Sequence, residues 1–394
     1  MHKKLLTVLM VAGVSAVAMN AAAGESSGPS VKINGVFRSL AAGTTQSVRS
    51  SKGVQFMTYG NMSLNASGTA NNGLTYGAMA ILELDRAKTE KDRISEAYTF
   101  VGSDAIGNFQ FGDAQGVSTL MMYDGSDVMG GTGGFDGNLE KLLNITRGVN
   151  FDQGIGHVPG TSKSTKLTYM SPEVSGFQVG VSYTPSTAQY GRLPNTKALN
   201  SGGNVISGSA PYAVNHTEGA LSFTDDIGAY TVGVYLTGAL GKARAASNDF
   251  DLNSVKAWQF GSLVDYENWQ FGAGYFNNGK SYMRRNTNFT NTHGYNLAVS
   301  YGMGPMSLAL GYTGTERGVT SGKAKADISS FTVDYSVADG LAVYAEANYF
   351  KLRAPIAHIN AVNTTPTVDY LDRQPSSNKD NSGTAFILGT RVNF

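Results

Sequence analysis

Ala385-Phe-Ile-Leu-Gly-Thr-Arg-Val-Asn-Phe394 is the stretch that decides the fold. Side chains on a β-strand alternate between two faces, so Phe386, Leu388, Thr390, Val392 and Phe394 share one face. Ala385, Ile387, Gly389, Arg391 and Asn393 share the other. One face can meet lipid while the other meets water. A soluble core covering both faces would trap the Arg391 guanidinium, and a buried unpaired charge is costly. The stretch therefore predicts a strand at a boundary between apolar and aqueous media, in a membrane protein that has no membrane helix.

The amino-terminal end agrees. Lys3 and Lys4 precede a mostly apolar run over 5–19, and Asn20-Ala-Ala-Ala-Gly24 follows. Ala21 and Ala23 fit a small-x-small cleavage pattern. Residues 1–23 are expected to be a cleaved secretory signal peptide, because a membrane span needs about 20 apolar residues. Cleavage removes two lysines and no acid, turning a formal charge of +1 into −1. That balance gives no reason to expect nucleic acid. There is no cysteine, which excludes disulfides and thiolate metal sites. Glycine is abundant at 49 residues, and 20 of the aromatics are tyrosine. Hydrophobic content of 41% is too low for a helical membrane protein. It suits a barrel, in which only alternate residues face lipid and tyrosine gathers at the interface.

Alternating stretches of about ten residues, a barrel-strand length, recur from near Val31 to the carboxy-terminus. Leu74/Tyr76/Ala78/Ala80/Leu82, Trp269/Phe271/Ala273/Tyr275 and Tyr295/Leu297/Val299/Tyr301 are clean examples. The parity of 254–264 stays open. The series gives about sixteen strands, an even number as bacterial barrels require. Short Gly- and Asp-containing turns fall at 103–107, 172–176, 225–228, 265–268, 302–305 and 337–340. Long polar loops are expected at 185–212, 241–253, 277–291, 314–325 and 351–382. Short turns on one rim and long loops on the other is the barrel arrangement, with the short turns periplasmic. No linker or second core is visible. Residues 24–394 are expected to form a single barrel domain, with 24–30 as a lead-in.

The longest stretch without a strand pattern runs over about 114–162. It is rich in glycine and carries Asp124, Asp127, Asp136 and Glu140, with mild helical character over 140–145. Loops this long are uncommon, and when present are usually functional or disordered. Around it, Phe109-Gln-Phe-Gly-Asp-Ala-Gln-Gly-Val117, Tyr123-Asp124 and Gly133-Gly-Phe-Asp-Gly137 resemble the trimeric general diffusion porins of Gram-negative bacteria. Glu96 to Asp104 and Lys166 to Gly180 resemble the strand-turn-strand segments on either side. The likeness is architectural over the mature chain and specific over roughly residues 93–185.

The resemblance implies an all-β, transmembrane antiparallel barrel whose third loop folds into the lumen and narrows it. It implies a homotrimer in the bacterial outer membrane, in contact with outer-membrane lipid and lipopolysaccharide and inserted by the barrel assembly machinery. It implies passive diffusion of small hydrophilic solutes. Carboxylates on the loop would face a basic cluster on the wall, making Asp113, Asp124, Asp127, Asp136 and Glu140 candidates for the constriction. Family members often carry Arg where this chain has Asp113, which puts part of the basic cluster in doubt. Lys32, Arg38, Glu83, Glu346 and Arg391 are the lumen-wall candidates by strand parity. Acids in excess favour cations through their local field, so a weak cation preference is expected. Phe394 is the expected assembly signal.

No enzyme is expected. His157, His216, His293 and His358 are scattered, with no His-x-x-x-His pair for a metal. No nucleophile motif, P-loop or dinucleotide fingerprint is present, so no cofactor or metal is expected. Two other readings remain at this level: a substrate-specific channel, for example for a sugar, and a structural or adhesive barrel with a plugged lumen.

Overall fold

The structure is a computed structural model. It describes residues 27–48, 53–84, 94–144, 163–188, 212–244, 251–283, 285, 290–319, 322–353 and 380–394. The signal peptide, its cleavage point, and residues 145–162, 189–211, 245–250 and 354–379 of the expected loops lie outside these. Among the described residues sixteen strands form one closed antiparallel barrel. They are β1 (Ser27–Gln46), β2 (Gln55–Thr69), β3 (Thr75–Glu83), β4 (Ile94–Ser103), β5 (Gly107–Asp113), β6 (Thr165–Met170), β7 (Phe177–Ser186) and β8 (Tyr212–Ile227). The second half comprises β9 (Tyr230–Arg244), β10 (Val255–Tyr266), β11 (Trp269–Gly279), β12 (Thr292–Met303), β13 (Met306–Val319), β14 (Gly322–Ala338), β15 (Leu341–Arg353) and β16 (Asn381–Asn393).

Each strand pairs with its sequence neighbours, and β16 closes on β1 in register from Val36↔Asn393 to Gln46↔Gly383. Closure leaves no strand edge to be satisfied by lipid, where each orphaned backbone group would cost several kcal/mol. The last residue takes part: Gly35 N–H donates to the Phe394 carbonyl at 2.7 Å, and Phe394 N–H donates to the Gly35 carbonyl at 3.0 Å. The Phe394 ring covers Gly35 so closely that a Cβ there would run into it.

The two faces of β16 separate as their alternation predicts. Phe386 and Leu388 are 59% and 64% exposed on the outside, while Ala385 and Ile387 are 0% and 2% exposed inside. Aromatic pairs stack across strands near the short turns. Tyr230–Tyr266 and Trp269–Tyr301 have centroids 4.6 and 4.5 Å apart. Such residues suit the membrane–water boundary because their rings are apolar and their polar atoms reach water. In β10 the register puts Trp258, Phe260 and Val264 outside and Gln259 and Leu263 inside, resolving the parity the sequence left open.

Two expected loops are corrected. Residues 314–319 and 322–325 are strand, not loop: β13 and β14 run on as a ladder to Val319↔Gly322. Polarity misled there, because Glu316 faces Lys325 across the ladder and both are satisfied as a pair beyond the apolar band. The lead-in is shorter than 24–30, since Ser27 to Ser30 already belong to β1 and pair with β2 through an irregular register.

Candidate functional site

Between β5 and β6, residues 114–144 turn inward and run along the inner wall. They hold one short helix, α1 (Val117–Leu120), and three 3₁₀ turns, η1 (Gly125–Val128), η2 (Gly134–Asp136) and η3 (Asn138–Leu142). In order these pack on β6 to β9, then β11 to β13, then β13 to β15, and finally β1. The loop therefore follows the inner wall around more than half of the barrel.

Polar side chains from the wall hold it at each stage. At the root, the buried Lys166 ammonium donates to the carbonyls of Ala114 and Ser164. Glu218, fully buried on β8, accepts from the Ser118 N–H at 3.1 Å and from its hydroxyl. Ser182 takes the Val117 N–H, and Gln259 donates to the Ser118 carbonyl at 2.9 Å. Glu218 and Ser182 thereby satisfy free N–H groups at the start of α1, which has no side-chain cap of its own. Next, the Tyr123 hydroxyl reaches the carbonyls of Val234 (2.8 Å) and Phe223 (3.0 Å). Burial pushes this phenol above its ordinary pKa, so it remains a donor.

At η1 a reciprocal capping box forms. Asp124 accepts from the Ser126 N–H at 2.8 Å, and Asp127 accepts from the Asp124 N–H at 2.8 Å. Asn296 of β12 ties this turn to the wall: it donates to Asp124 Oδ2 and accepts from the Gly125 N–H, both at 2.9 Å. Before η2, three successive N–H groups meet the wall. Gly130 donates to Thr332 (3.0 Å), Gly131 to Asp334 (2.6 Å) and Thr132 to Glu346. Gly131 has φ +64, and a Cβ there would collide with the Glu346 carboxylate. Asp334 in turn pairs with Arg391 at 3.2 Å. At the far end Gln46 of β1 donates to the Leu142 carbonyl (3.0 Å) and accepts from the Asn144 N–H (2.9 Å).

An apolar contact underlies the polar one. Val128, Phe135, Leu139 and Leu142 pack in one cluster with Leu40, Ile328, Tyr344, Phe350, Leu352 and Ile387 from the inner wall. Lumen faces are polar where they meet water, so apolar inward positions on β14 to β16 mark where the loop docks. The sequence carries that signal as broken alternation around Ile328, Phe350 and Leu352.

The loop ends where the open wall begins. Tyr59 of β2 lies between two cations, with the Arg38 guanidinium 5.7 Å and the Lys141 ammonium 5.3 Å from its ring centroid. Arg38 and Arg391 are direct register partners on β1 and β16. The wall therefore has a basic cluster without an arginine at position 113, and the loop contributes Lys141 to it.

The expected residues divide as follows. Asp136 is exposed, and Asp127 and Glu140 are half-buried on the loop. Asp124 is only 1% exposed. Its carboxylate is taken up by Ser126 and Asn296, so it fastens the loop and does not face water. Asp113 stands opposite Ala97 and Thr165, on the outward parity of Phe109 and Phe111, and accepts from the Thr165 hydroxyl. The strand's own period turns it away from the lumen side. Lys32 is exposed, and Glu83 is paired with Lys163 at 3.0 Å. Glu346 is buried and occupied by Thr132, and Arg391 by Asp334. Sequence reasoning missed Glu218, Lys166, Asn296, Asp334, Gln46 and Tyr59, which are single polar residues on strands with no motif to mark them. Among the described residues no group of three or more His, Cys, Asp or Glu is arranged to hold a metal.

The family model for Gram-negative porins matches residues 6–355. An uncharacterised protein of Rickettsia prowazekii is 26% identical over 382 residues, covering 82% of this chain and 81% of that protein. One from Rickettsia conorii is 27% identical with the same coverage. Among solved structures, an anion-selective porin from Comamonas acidovorans superposes with a TM-score of 0.60 at 14% identity, over 94% of this chain and all of that one. OmpT, an outer membrane protein of Vibrio cholerae in its trimer form, gives 0.57 at 15% identity over 93% of this chain and all of that one.

Proposed function

The chain belongs to the Gram-negative porin family, and on that premise we propose that it is a general diffusion channel with a weak cation preference, working as a homotrimer. As a porin it is a channel through the outer membrane. Its mechanism is passive: small hydrophilic solutes and ions pass down their gradients through the water left between the inward loop and the wall of β2 to β5. The observation that carries this reading is the loop fastened along the inner wall from β6 round to β1, which narrows the lumen with no plug domain among the described residues. The single barrel domain of residues 24–394 supplies all of it, and the constriction loop is taken as 114–162.

The ionic preference rests on charge. The described loop segment 114–144 carries Asp124, Asp127, Asp136 and Glu140 against Lys141 alone. Low-dielectric walls focus such a field along the pore. Arg38 and Arg391 oppose it, which keeps the preference weak. Reversal potentials in a planar bilayer under a potassium chloride gradient test this; permeability for chloride above that for potassium overturns it.

The trimer reading is supported by an uneven outer surface. Outward positions on β1 to β4 include many small residues, Gly35, Ser39, Ala41, Thr58, Gly60, Ala78, Ala80, Ala97 and Thr99, beside the larger Val31, Ile33, Phe37, Phe56 and Tyr76. On β10 to β13 large ones predominate, among them Trp258, Phe260, Phe271, Tyr275, Tyr295, Leu297 and Leu310, with Ser262, Ala273 and Gly314 as small exceptions. Small side chains allow two barrels to approach, and large apolar ones suit acyl chains. Heat-labile, slow-migrating bands on unheated gels would support the trimer; a monomer band in mild detergent at all concentrations would oppose it. Phe394, seated on Gly35 at the closing seam, is the proposed assembly signal read by the barrel assembly machinery.

A further inference from the structure

The two rims of the barrel differ in charge. The short turns at 103–107, 172–176, 225–228, 265–268, 302–305 and 337–340 hold seven of the chain's 29 acids and none of its 30 Lys and Arg residues. Asp104 and Glu173 stand on the turns that follow β4 and β6, and Asp225 and Asp226 on the turn from β8 to β9. Asp265 and Glu267 flank Tyr266 between β10 and β11, and Asp339 lies between β14 and β15. All are exposed except Asp265, which is 9% exposed on the inner face. The turn at 70–74, between β2 and β3, is neutral. Turn chemistry favours Asp and accounts for Asp226, which accepts from the Thr231 hydroxyl at 2.6 Å. It does not favour Glu at 173 and 267, and it does not exclude Lys or Arg from six turns. On this side Lys32 is exposed, and Arg391 is taken up by Asp334.

The long-loop rim has the opposite balance among the described residues. Lys163 pairs with Glu83, Lys323 and Lys325 with Glu316, and Arg353 with Asp327. Beyond these pairs Lys242, Arg244, Lys256, Lys280, Arg285 and Lys351 are exposed, against Asp251 and Asp380. Charge therefore changes sign along the barrel axis, from acidic at the short-turn mouth to basic at the long-loop mouth.

We propose that this axial separation of charge makes the channel rectify at low ionic strength, passing more current when cations enter by the short-turn mouth than when they enter by the long-loop mouth. Fixed acids at a mouth gather mobile cations, and a potential of the order of kT enriches them about two- to three-fold. Sixteen strands, spaced about 4.8 Å and tilted about 40°, enclose a mouth roughly 30 Å across. The Debye length is about 30 Å at 0.01 M salt and about 3 Å at 1 M. The field thus fills the mouth in the first case and stays on the turns in the second. With the short-turn side positive, cations start from the mouth that gathers them and anions from the mouth that gathers anions, so both carriers are supplied to the narrow zone. Reversing the voltage starts each carrier from the mouth that repels it. Equal solutions at zero voltage still give no net flux, so the asymmetry is one of conductance and moves nothing against a gradient. The inference rests on the reading of the chain as a water-filled channel and is independent of the proposed cation preference.

The test is single-channel recording of the full chain in planar bilayers, with the same potassium chloride solution on both sides and equal voltages of opposite sign. The chain has no cysteine, so Ala105→Cys, on an exposed short turn, can carry a single biotin label. Streptavidin added to one chamber then lowers the current only where the short turns face that chamber, which fixes the orientation. Current is expected to be roughly two-fold larger with the short-turn side positive in about 0.01 M salt, and equal in both directions in about 1 M. D104N/E173Q/D225N/D226N/E267Q/D339N removes six exposed acids while keeping their size. It is expected to bring the low-salt ratio close to one and to leave the conductance in 1 M salt unchanged. Equal currents at low salt, a larger current of the opposite sign, a ratio that persists in 1 M salt, or a ratio unchanged in the six-site variant overturns the proposal. The salt series on the wild-type chain decides by itself if that variant does not fold. Rectification together with a chloride-preferring reversal potential would support this inference and strike the cation preference alone, whereas absence of any conductance would overturn both.

Discussion

Along β14 to β16 the inward positions Ile328, Phe350, Leu352, Ala385 and Ile387 are at most 2% exposed. Along β2 to β4 the inward positions Gln55, Tyr59, Asn61, Ser63 and Tyr98 are half-buried and mostly polar, although Met79, Glu96 and Phe100 on the same face are buried. Both stretches line the same lumen of the same barrel. The first is dry because the loop lies on it, and it is built like a protein core, with buried carboxylates each given a partner. The second faces the space the loop leaves, and it is built like a surface. This porin therefore has two kinds of inner wall. One clamps the loop in a fixed position, and the other sets what a passing solute meets.

If that division is right, damage to the clamped wall should alter the size and steadiness of the pore, and damage to the open wall should alter only its selectivity. The largest effect is expected from the apolar clamp. Phe135→Ala empties a site that is 2% exposed and should cost about 3–5 kcal/mol of loop docking. Single-channel traces should show larger and noisier conductance. An unchanged, quiet conductance would mean that Phe135 does not hold the constriction.

Glu346→Ala comes next. It leaves the Thr132 N–H without its acceptor in a buried site, a loss of about 1–3 kcal/mol. Glu346→Gln keeps an acceptor oxygen and should lose less. Voltage-dependent closure measured in the two variants should rank Ala above Gln above wild type; the reverse order would show that charge rather than hydrogen bonding matters there. Asp124→Ala should fall below both, at about 1 kcal/mol, the usual worth of a helix cap. It should raise conductance noise slightly, with ion selectivity unchanged. A large selectivity shift would return Asp124 to the pore lining, where its side chain type first suggested it belonged.

These residues also show how far the sequence carries. The strands were legible because their outward positions obey one rule, apolar contact with lipid, over sixteen repeats. The inward positions obey no single rule. Whether Glu218, Glu346 or Asp334 touches water or backbone depends on where a 31-residue stretch of loop lies, and that path is set by tertiary contacts far apart in the chain. Asp124 and Asp127 looked like pore acids by composition but serve as a turn cap, a role that needs the Ser126 N–H in place to be recognised. Asp113 was misplaced for a simpler reason: its position one step past Gly112 gives it the parity of Phe111.

The smallest expected effect lies on the open wall, and it bears most directly on the division. Arg38 and Lys141 both approach the Tyr59 ring where loop meets wall. Each cation–π contact at such a wet site is worth about 0.5–1 kcal/mol, so R38Q should scarcely alter stability or conductance. It removes one positive charge beside the solute path, however, and should move the reversal potential toward stronger potassium preference. Asp136→Asn removes an exposed acid from the loop and should move it the other way by a similar amount. Opposite shifts with equal conductance would separate the ion-sensing wall from the clamping wall. Shifts of the same sign, or a change in conductance as large as that of Phe135→Ala, would show that the two walls act as one.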